Sequence, residues 1–384
     1  MKPSLNYTPH YALIQSSYWL TNMPILAFGP MYLYSLGLSN TAVGFFFAAA
    51  NLLSILLQPM TGSLIDKETL TLRQAVFSHA RLLFLLIGIL YLPITSMKIG
   101  AHFLTLVLVI CLQPMVNTLS IDALHSGITL DFGIARGTAS LVYGISSLIL
   151  GKLIGIFDTS IIPLMAFLSL STFTFAFYLF PKTITSAEND SNSSSLSGLN
   201  RPFFLMLLAT FFLFINHCIL NNFLLRIVEN VGGGSTQFGI ALGIAAAAEL
   251  PIMASFTKLQ NRFGTVSLLR LSAMFFLVKS ILLIFANSPT LLYVNQLLQM
   301  LTFGLYFPAA VAYVQETLPF SLRARSQALL ISTITLGCVI ASLLGGAVLD
   351  ALHVEALLVI SAIFSTLGFI SILFLKEKKS PKAL

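Results

Sequence analysis

The chain has 384 residues, of which 57% are hydrophobic and 9% charged, and its formal net charge is +7. Its mean hydropathy is +0.92. About a quarter of a soluble domain is charged, so this composition excludes an ordinary soluble fold. It points to helices in a bilayer, whose core of about 30 Å is crossed by roughly 20 apolar residues.

Twelve apolar segments follow one another: 11–36, 41–65, 74–94, 101–121, 134–156, 161–180, 203–225, 237–257, 265–286, 290–314, 325–349 and 355–375. The runs are continuous and too long for the alternating strands of a membrane barrel. Most contain Gly or Pro, which membrane helices tolerate. The first run begins after a short polar start and continues too far for a cleavable signal peptide. The expected fold is an all-α membrane protein with twelve transmembrane helices.

Charge in the connections orients the spans. One side collects Lys2, Lys67, Arg73, Lys182, Arg201, Lys258, Arg262, Arg323, Arg325, Lys376, Lys378, Lys379 and Lys382, while the other collects Lys98 and Arg226. The Lys/Arg-rich side is expected to be cytoplasmic, with both termini inside a plasma or inner membrane. This asymmetry accounts for the basic balance without nucleic acid. Arg81 and Lys152 lie near span ends and are expected to snorkel, and Arg270 reads as a loop-edge charge.

The longest connection, 181–202, contains "ENDSNSSSLSG", a linker composition. It divides the chain into an N-terminal six-helix bundle (1–180), a cytoplasmic linker (181–202) and a C-terminal six-helix bundle (203–384). A shift of 195 residues lays "SNTAVGFFFAAANLLSILLQPMTGSLIDK" (39–67) on "GSTQFGIALGIAAAAELPIMASFTKLQNR" (234–262). Gly44 then meets Gly239, Asp66 meets Asn261 and Lys67 meets Arg262. "ARGTA" (135–139) and "ARSQA" (324–328) form a second pair. Two parallel repeats are one plan of secondary transporters, with a midplane site between the halves.

Ionisable groups inside spans are costly and mark function by default. Glu249, in "AAAAELPIM", has apolar neighbours on both sides, with Pro251 just beyond. It reads either as a proton or substrate group or as the partner of Lys279 in a structural ion pair; the same two readings hold for Lys279. His217 stands with Asn216, Asn221 and Asn222 in "FINHCILNN"; it is a coupling or a packing residue, while Asn221 and Asn222 suit cavity lining. Gln296, Gln299 and Thr302 share i, i+3, i+6 spacing and are expected to form a polar stripe for hydroxyls or amides. Asn22, Asn51 and Asn117 line a cavity or bond between helices. Asp66, Lys67, Arg73, Asp122, Arg262, Glu316, Arg323 and Arg325 are expected to form charged gating turns. Cys111, Cys218 and Cys338 read as small buried hydrophobes. No HExxH, GxSxG, P-loop or CxxC motif occurs, so neither an enzyme nor an ATP-driven pump is expected, and no cofactor or metal.

"GFFFAAANLLSILLQPMTGSLIDK" (44–67) resembles the second helix and following loop of the lactose permease branch of the major facilitator superfamily. "GSLIDK" is a degenerate form of the superfamily's signature loop: "ETLTLRQ" follows, leaving Arg73 alone of the usual basic residues. "DFGIARGTASLVYG" (131–144), "LQNRFG" (259–264) and "PFSLRARSQALL" (319–330) are similar to further stretches of that superfamily. The resemblance implies two six-helix bundles that alternate access to a central site. Arg136 falls where the branch keeps a sugar-binding Arg, and Tyr143 where it stacks a Trp on the sugar. The i, i+7 spacing puts both on one helix face. Lys279 falls on an Arg of the proton-coupling machinery. The departures are as informative. Thr118, Ala246, His217 with Leu220, and Gln296, Gln299 and Thr302 replace the branch's ionisable residues, so neither lactose nor that proton route is expected.

The resulting expectation is a secondary active transporter, taking up a small polar solute such as a sugar or nucleoside with protons. Its partners are then that solute, protons and the lipid bilayer, and a monomer suffices because each chain holds both halves. Sugar or drug efflux by proton antiport is the alternative, and a non-transporting membrane sensor a distant one.

Overall fold

A computed structural model describes residues 6–66, 70–183 and 201–375. Lys2, Lys67, Lys376, Lys378, Lys379 and Lys382, the linker residues 184–200 and the side chain of Asp66 lie outside the described residues. The chain divides into two compact units. The first is Met1–Asp190 together with Ser235–Gly243, and the second is Ser191–Gly234 together with Ile244–Leu384.

In the first unit, α1 (Thr8–Asn22) runs into a π-helical turn at Met23–Ala27, and α2 (Gly29–Ser35) follows. Pro24 and Pro30 cannot donate backbone hydrogen bonds, so the first span is broken where the apolar run reads as continuous. Next come α3 (Asn40–Asp66), α4 (Leu72–Ile89), α5 (Thr95–His125), α6 (Phe132–Phe157) and α7 (Ile161–Leu179). Local chemistry sets their starts. Thr71 and Gln74 close a capping box on α4. Asp131 Oδ1 accepts from the Ile134 N–H at 2.9 Å, capping α6. α1 packs against α6 and α7, and α5 against α3 and α4. Tyr11, Tyr18 and Phe173 are buried in the core between them.

The second unit contains α8 (Arg201–Asn222), α9 (Leu224–Asn230), most of α10 (Ser235–Phe263), α11 (Thr265–Ile284), α12 (Pro289–Leu297), α13 (Phe303–Thr317), α14 (Phe320–Ala351) and α15 (Val354–Leu373). Gly264 alone joins α10 to α11, with φ +78°, a value that suits glycine. α8 packs against α14 and α15, and α11 against α13 and α15. Phe203, Phe214, Phe276 and Tyr306 fill the core.

Ten stretches of described residues are long and apolar enough to span a bilayer, and one of them, Phe132–Leu179, covers both α6 and α7. Separating those two and adding the broken α1–α2 gives the expected twelve. Large apolar side chains such as Phe45 (65% exposed), Leu56 (66%) and Phe285 (72%) point outward. Such exposure on many helices suits a lipid-facing surface.

The cysteine reading needs correction. Cys218 of α8 and Cys338 of α14 are joined as a disulfide, with Cα atoms 5.1 Å apart, and Cys111 alone is a free buried cysteine. The helices can approach here because Gly337 adjoins Cys338: a Cβ on Gly337 would lie 3.1 Å from the Phe211 carbonyl oxygen.

Candidate functional site

The first unit brings three side chains together from two helices. Arg136, in the second turn of α6, places its guanidinium carbon 4.2 Å from the centre of the Trp19 ring on α1. Tyr143, two turns further along α6, meets Trp19 edge to face, with centroids 6.3 Å apart. All three are half-buried. The sequence placed Arg136 and Tyr143 on one face but missed Trp19, although it is the only Trp in the chain. A Trp face is the best aromatic platform for a cation. Below it, Gln15 Nε2 donates to Tyr11 Oη (2.6 Å) and to Asn117 Oδ1 (3.2 Å), so Asn117 bonds between helices.

The second unit builds a charged chain through an amide. Lys279 Nζ of α11 donates to Gln299 Oε1 at 2.6 Å, and Gln299 Nε2 donates to Glu249 Oε1 of α10 at 3.0 Å. Lys279 and Gln299 are each only 4% exposed, while Glu249 is half-buried. The amide presents its acceptor to the ammonium and its donor to the carboxylate, the orientation that both charges favour. Lys279 and Glu249 are thus bridged through the Gln299 amide.

Backbone irregularity positions Gln299. α12 ends at Leu297, a 3₁₀ turn covers Leu298–Met300, and Thr302 precedes α13 with φ −90° and ψ −102°. The continuous stripe expected from i, i+3, i+6 spacing is therefore interrupted. Gln299 reaches Lys279, and Thr302 Oγ1 donates to the backbone oxygens of Leu298 and Gln299, both at 3.2 Å. Gln296 is buried on α12 but makes none of these bonds. Asn295 donates instead to the Lys279 carbonyl oxygen at 2.8 Å. Gly304 lets α13 close on α10, since a Cβ there would meet Ile252 at 2.9 Å and the Glu249 Cα at 3.4 Å.

His217 lies parallel to Phe303, with centroids 5.0 Å apart and an interplanar angle of 12°. Asn221 Nδ2 donates to its Nε2 at 2.9 Å. Asn222 donates to Ser342 Oγ on α14 at 2.9 Å. Asn216 donates to Ser280 Oγ and Ser361 Oγ, each at 2.6 Å, tying α8 to α11 and α15. Asn221 and His217 thus form one small group, while Asn216 and Asn222 hold helices together.

The expected gating residues fall into separate local arrangements. Arg73 donates to the carbonyl oxygens of Tyr178 (2.7 Å) and Phe180 (3.0 Å) at the end of α7. Asp122 is 2% exposed within α5. Glu316 accepts from Gln260 Nε2 (2.7 Å) and Thr265 Oγ1 (2.8 Å), fastening α13 to the α10–α11 turn. Arg262 stacks near Phe263 at 5.2 Å, and Arg323 Nε donates to the Leu318 carbonyl oxygen at 3.2 Å. Arg325 is exposed on α14. Among the described residues, no group of three His, Cys, Asp or Glu side chains could hold a metal ion.

Comparison with known proteins identifies the lineage. The model of the MFS_1-like family matches residues 24–370. The maltose permease of Geobacillus stearothermophilus is 26% identical over 354 residues, covering 89% of this chain and 87% of that protein. An uncharacterised transporter of Bacillus subtilis (strain 168), YwbF, is 24% identical over 184 residues, 48% of this chain and 46% of that one. Among solved structures, a mutant of the nucleoside transporter NupG superposes with a TM-score of 0.80 at 13% identity, covering 96% of this chain and 98% of that one. A bacterial homologue of the iron transporter ferroportin, in an inward-facing state, gives a TM-score of 0.70 at 16% identity, covering 96% and 99%. These structures share the fold. The chain belongs to the MFS_1-like family and is a multi-pass membrane transporter of the major facilitator superfamily, with a small-molecule substrate.

Proposed function

We propose that this transporter takes up a sugar together with protons, and that Glu249 is the proton-carrying group. The observation that carries the reading is the Glu249–Gln299–Lys279 chain. A carboxylate and an ammonium held through one amide form a balanced set while both are charged. Protonation of Glu249 removes one charge and turns one of its oxygens into a donor. The Gln299 amide then loses its charged acceptor, and Lys279 its counter-charge. A set with two such arrangements can bias a conformational equilibrium by the difference in their energies. His217 with Asn221 is the second titratable group proposed for coupling.

Sugar is proposed because the maltose permease relative spans nearly the full chain, and because the Arg136–Trp19–Tyr143 group offers what a sugar needs. The flat rings pack on its apolar face, and the guanidinium donates to its hydroxyls. Glu249, Lys279, Gln299, Gln296, Thr302, Asn221 and Asn222 are proposed to contribute further polar contacts. The domain limits 1–180, 181–202 and 203–384, cytoplasmic termini and a monomeric state belong to the same proposal. So does a gating role for Asp66, Lys67, Arg73, Asp122, Arg262, Glu316, Arg323 and Arg325.

The test uses the purified protein in proteoliposomes with an imposed pH gradient. Maltose is the first solute tried, then other sugars and nucleosides. Wild type is expected to accumulate a sugar inward when the outside is acidic. Glu249→Gln keeps the shape and a hydrogen bond to Gln299, and is expected to equilibrate that sugar without accumulating it. Unchanged accumulation by Glu249→Gln would end the coupling role. Accumulation of nucleosides alone would end the sugar assignment.

A further inference from the structure

The first unit also has a pocket of about 790 Å³ where α3 and α7 end and α4 begins. Arg73, Arg81 and Lys182 lie on its wall, and no Asp or Glu is among its described lining residues. The rest of the wall is largely apolar, with Phe77, Phe177 and Leu119. Three cations around an apolar hollow call for a ligand with an anionic head and a hydrocarbon body.

The cations differ in how firmly they are held. Arg73 is fixed by the two α7 carbonyl oxygens and lies over the rings of Phe77 and Tyr178, at 5.5 and 5.7 Å. The carbonyl oxygens accept from two of its nitrogens but leave its charge. Among the described residues, Arg81 makes only long bonds to the Phe77 carbonyl oxygen and Ser78 Oγ, both at 3.3 Å, and its side chain is exposed. Lys182 is exposed just past the end of α7. Arg81 and Lys182 can therefore turn their donors to a ligand without breaking strong internal bonds.

The pocket lies where three candidate spans reach a membrane face, the face whose connections carry the excess of Lys and Arg. A soluble anion would leave the aromatic wall bare. A phospholipid uses both parts: its phosphate accepts from Arg81 and Lys182, and its acyl chains follow Phe77, Phe177 and Leu119. Basic pockets between helices on the cytoplasmic side are suited to such headgroups. We infer that this pocket binds an anionic phospholipid of the cytoplasmic leaflet.

The experiment compares wild type with the double variant Arg81→Gln/Lys182→Gln, leaving Arg73 to hold the end of α7. Each protein, purified in neutral detergent, is titrated with phosphatidylglycerol, phosphatidylcholine or inorganic phosphate. Thermal unfolding and native mass spectrometry are the readouts. Phosphatidylglycerol is expected to raise the wild-type midpoint and to remain bound in the mass spectrum. Its apparent affinity should fall by about thirtyfold in the double variant, as expected for losing two interfacial cations. Equal effects of phosphatidylcholine and phosphatidylglycerol would overturn the proposal, as would an unchanged response of the double variant. An equal shift with inorganic phosphate would overturn the lipid assignment and leave a simple phosphate site. The wild-type and variant midpoints without lipid show directly whether the substitutions disturb the fold.

Discussion

The two units solve the same problem, a cation among apolar helices, in different ways. In the first, Arg136 rests against Trp19, with Tyr143 edge-on behind. In the second, Lys279 is almost fully enclosed and is joined to Glu249 through Gln299. An aromatic face satisfies a cation at every pH and yields little when a ligand slides in. An acid–amide–amine chain has a charge balance that one proton alters. The comparison teaches that binding and coupling can be assigned to different chemistry, because only the second arrangement contains a group that must change when a proton arrives.

The largest expected effect breaks that balance. Glu249→Ala leaves Lys279 buried with its ammonium facing a neutral amide, and because Glu249 is half-buried the cost should fall below the ~3 kcal/mol of breaking a fully buried pair. Thermal unfolding in detergent should show a pronounced loss of stability. Adding Lys279→Met removes the stranded charge, so the double variant should regain most of the stability while still failing to accumulate solute against its gradient. A double variant as unstable as Glu249→Ala would mean that the pair is not electrostatically coupled. Recovered accumulation would mean that it is purely structural.

Next in size is Trp19→Leu in the first unit. The helix contacts remain apolar, while the cation–π contact to Arg136, worth about 1 kcal/mol, is lost. Solute affinity should weaken by about fivefold, the factor that such an energy gives. The pH dependence of uptake should stay as in wild type. A displaced pH profile would contradict the division between the two units, since no proton-exchanging group has been touched.

Much of this was legible in the sequence, and for a physical reason. Twelve apolar runs must become spans because nothing else buries them, and Glu249 and Lys279 stand out because charges are rare and costly inside such runs. What was not legible depended on broken backbone and on distant neighbours. Gln299 reads as one face of a regular helix, but the 3₁₀ turn at Leu298–Met300 sets its direction. The break in the first span was signalled by Pro24 and Pro30, yet hydropathy alone carries no such detail. Trp19 and Arg136 meet across 117 positions of chain, and Cys218 and Cys338 across 120. No local pattern announces such pairs; the lone Trp was the one available signal.

The smallest expected effect separates charge from shape in the first unit. Arg136→Lys keeps the positive charge and can still point at the Trp19 ring, because cation–π attraction needs no planar partner. It loses the flat fork that donates two parallel hydrogen bonds to neighbouring hydroxyls. The protein should fold as wild type does, accumulate solute under the same pH gradient and lose affinity by no more than about fivefold, under 1 kcal/mol. The corresponding change in the second unit, Lys279→Arg, must fit a larger head into a site that is 4% exposed and already closed by a 2.6 Å bond to Gln299. A first unit as intolerant as the second would show that Arg136 is held by a unique geometry and not by a permissive aromatic face. A modest loss confined to affinity keeps the two cations in the separate roles their surroundings give them.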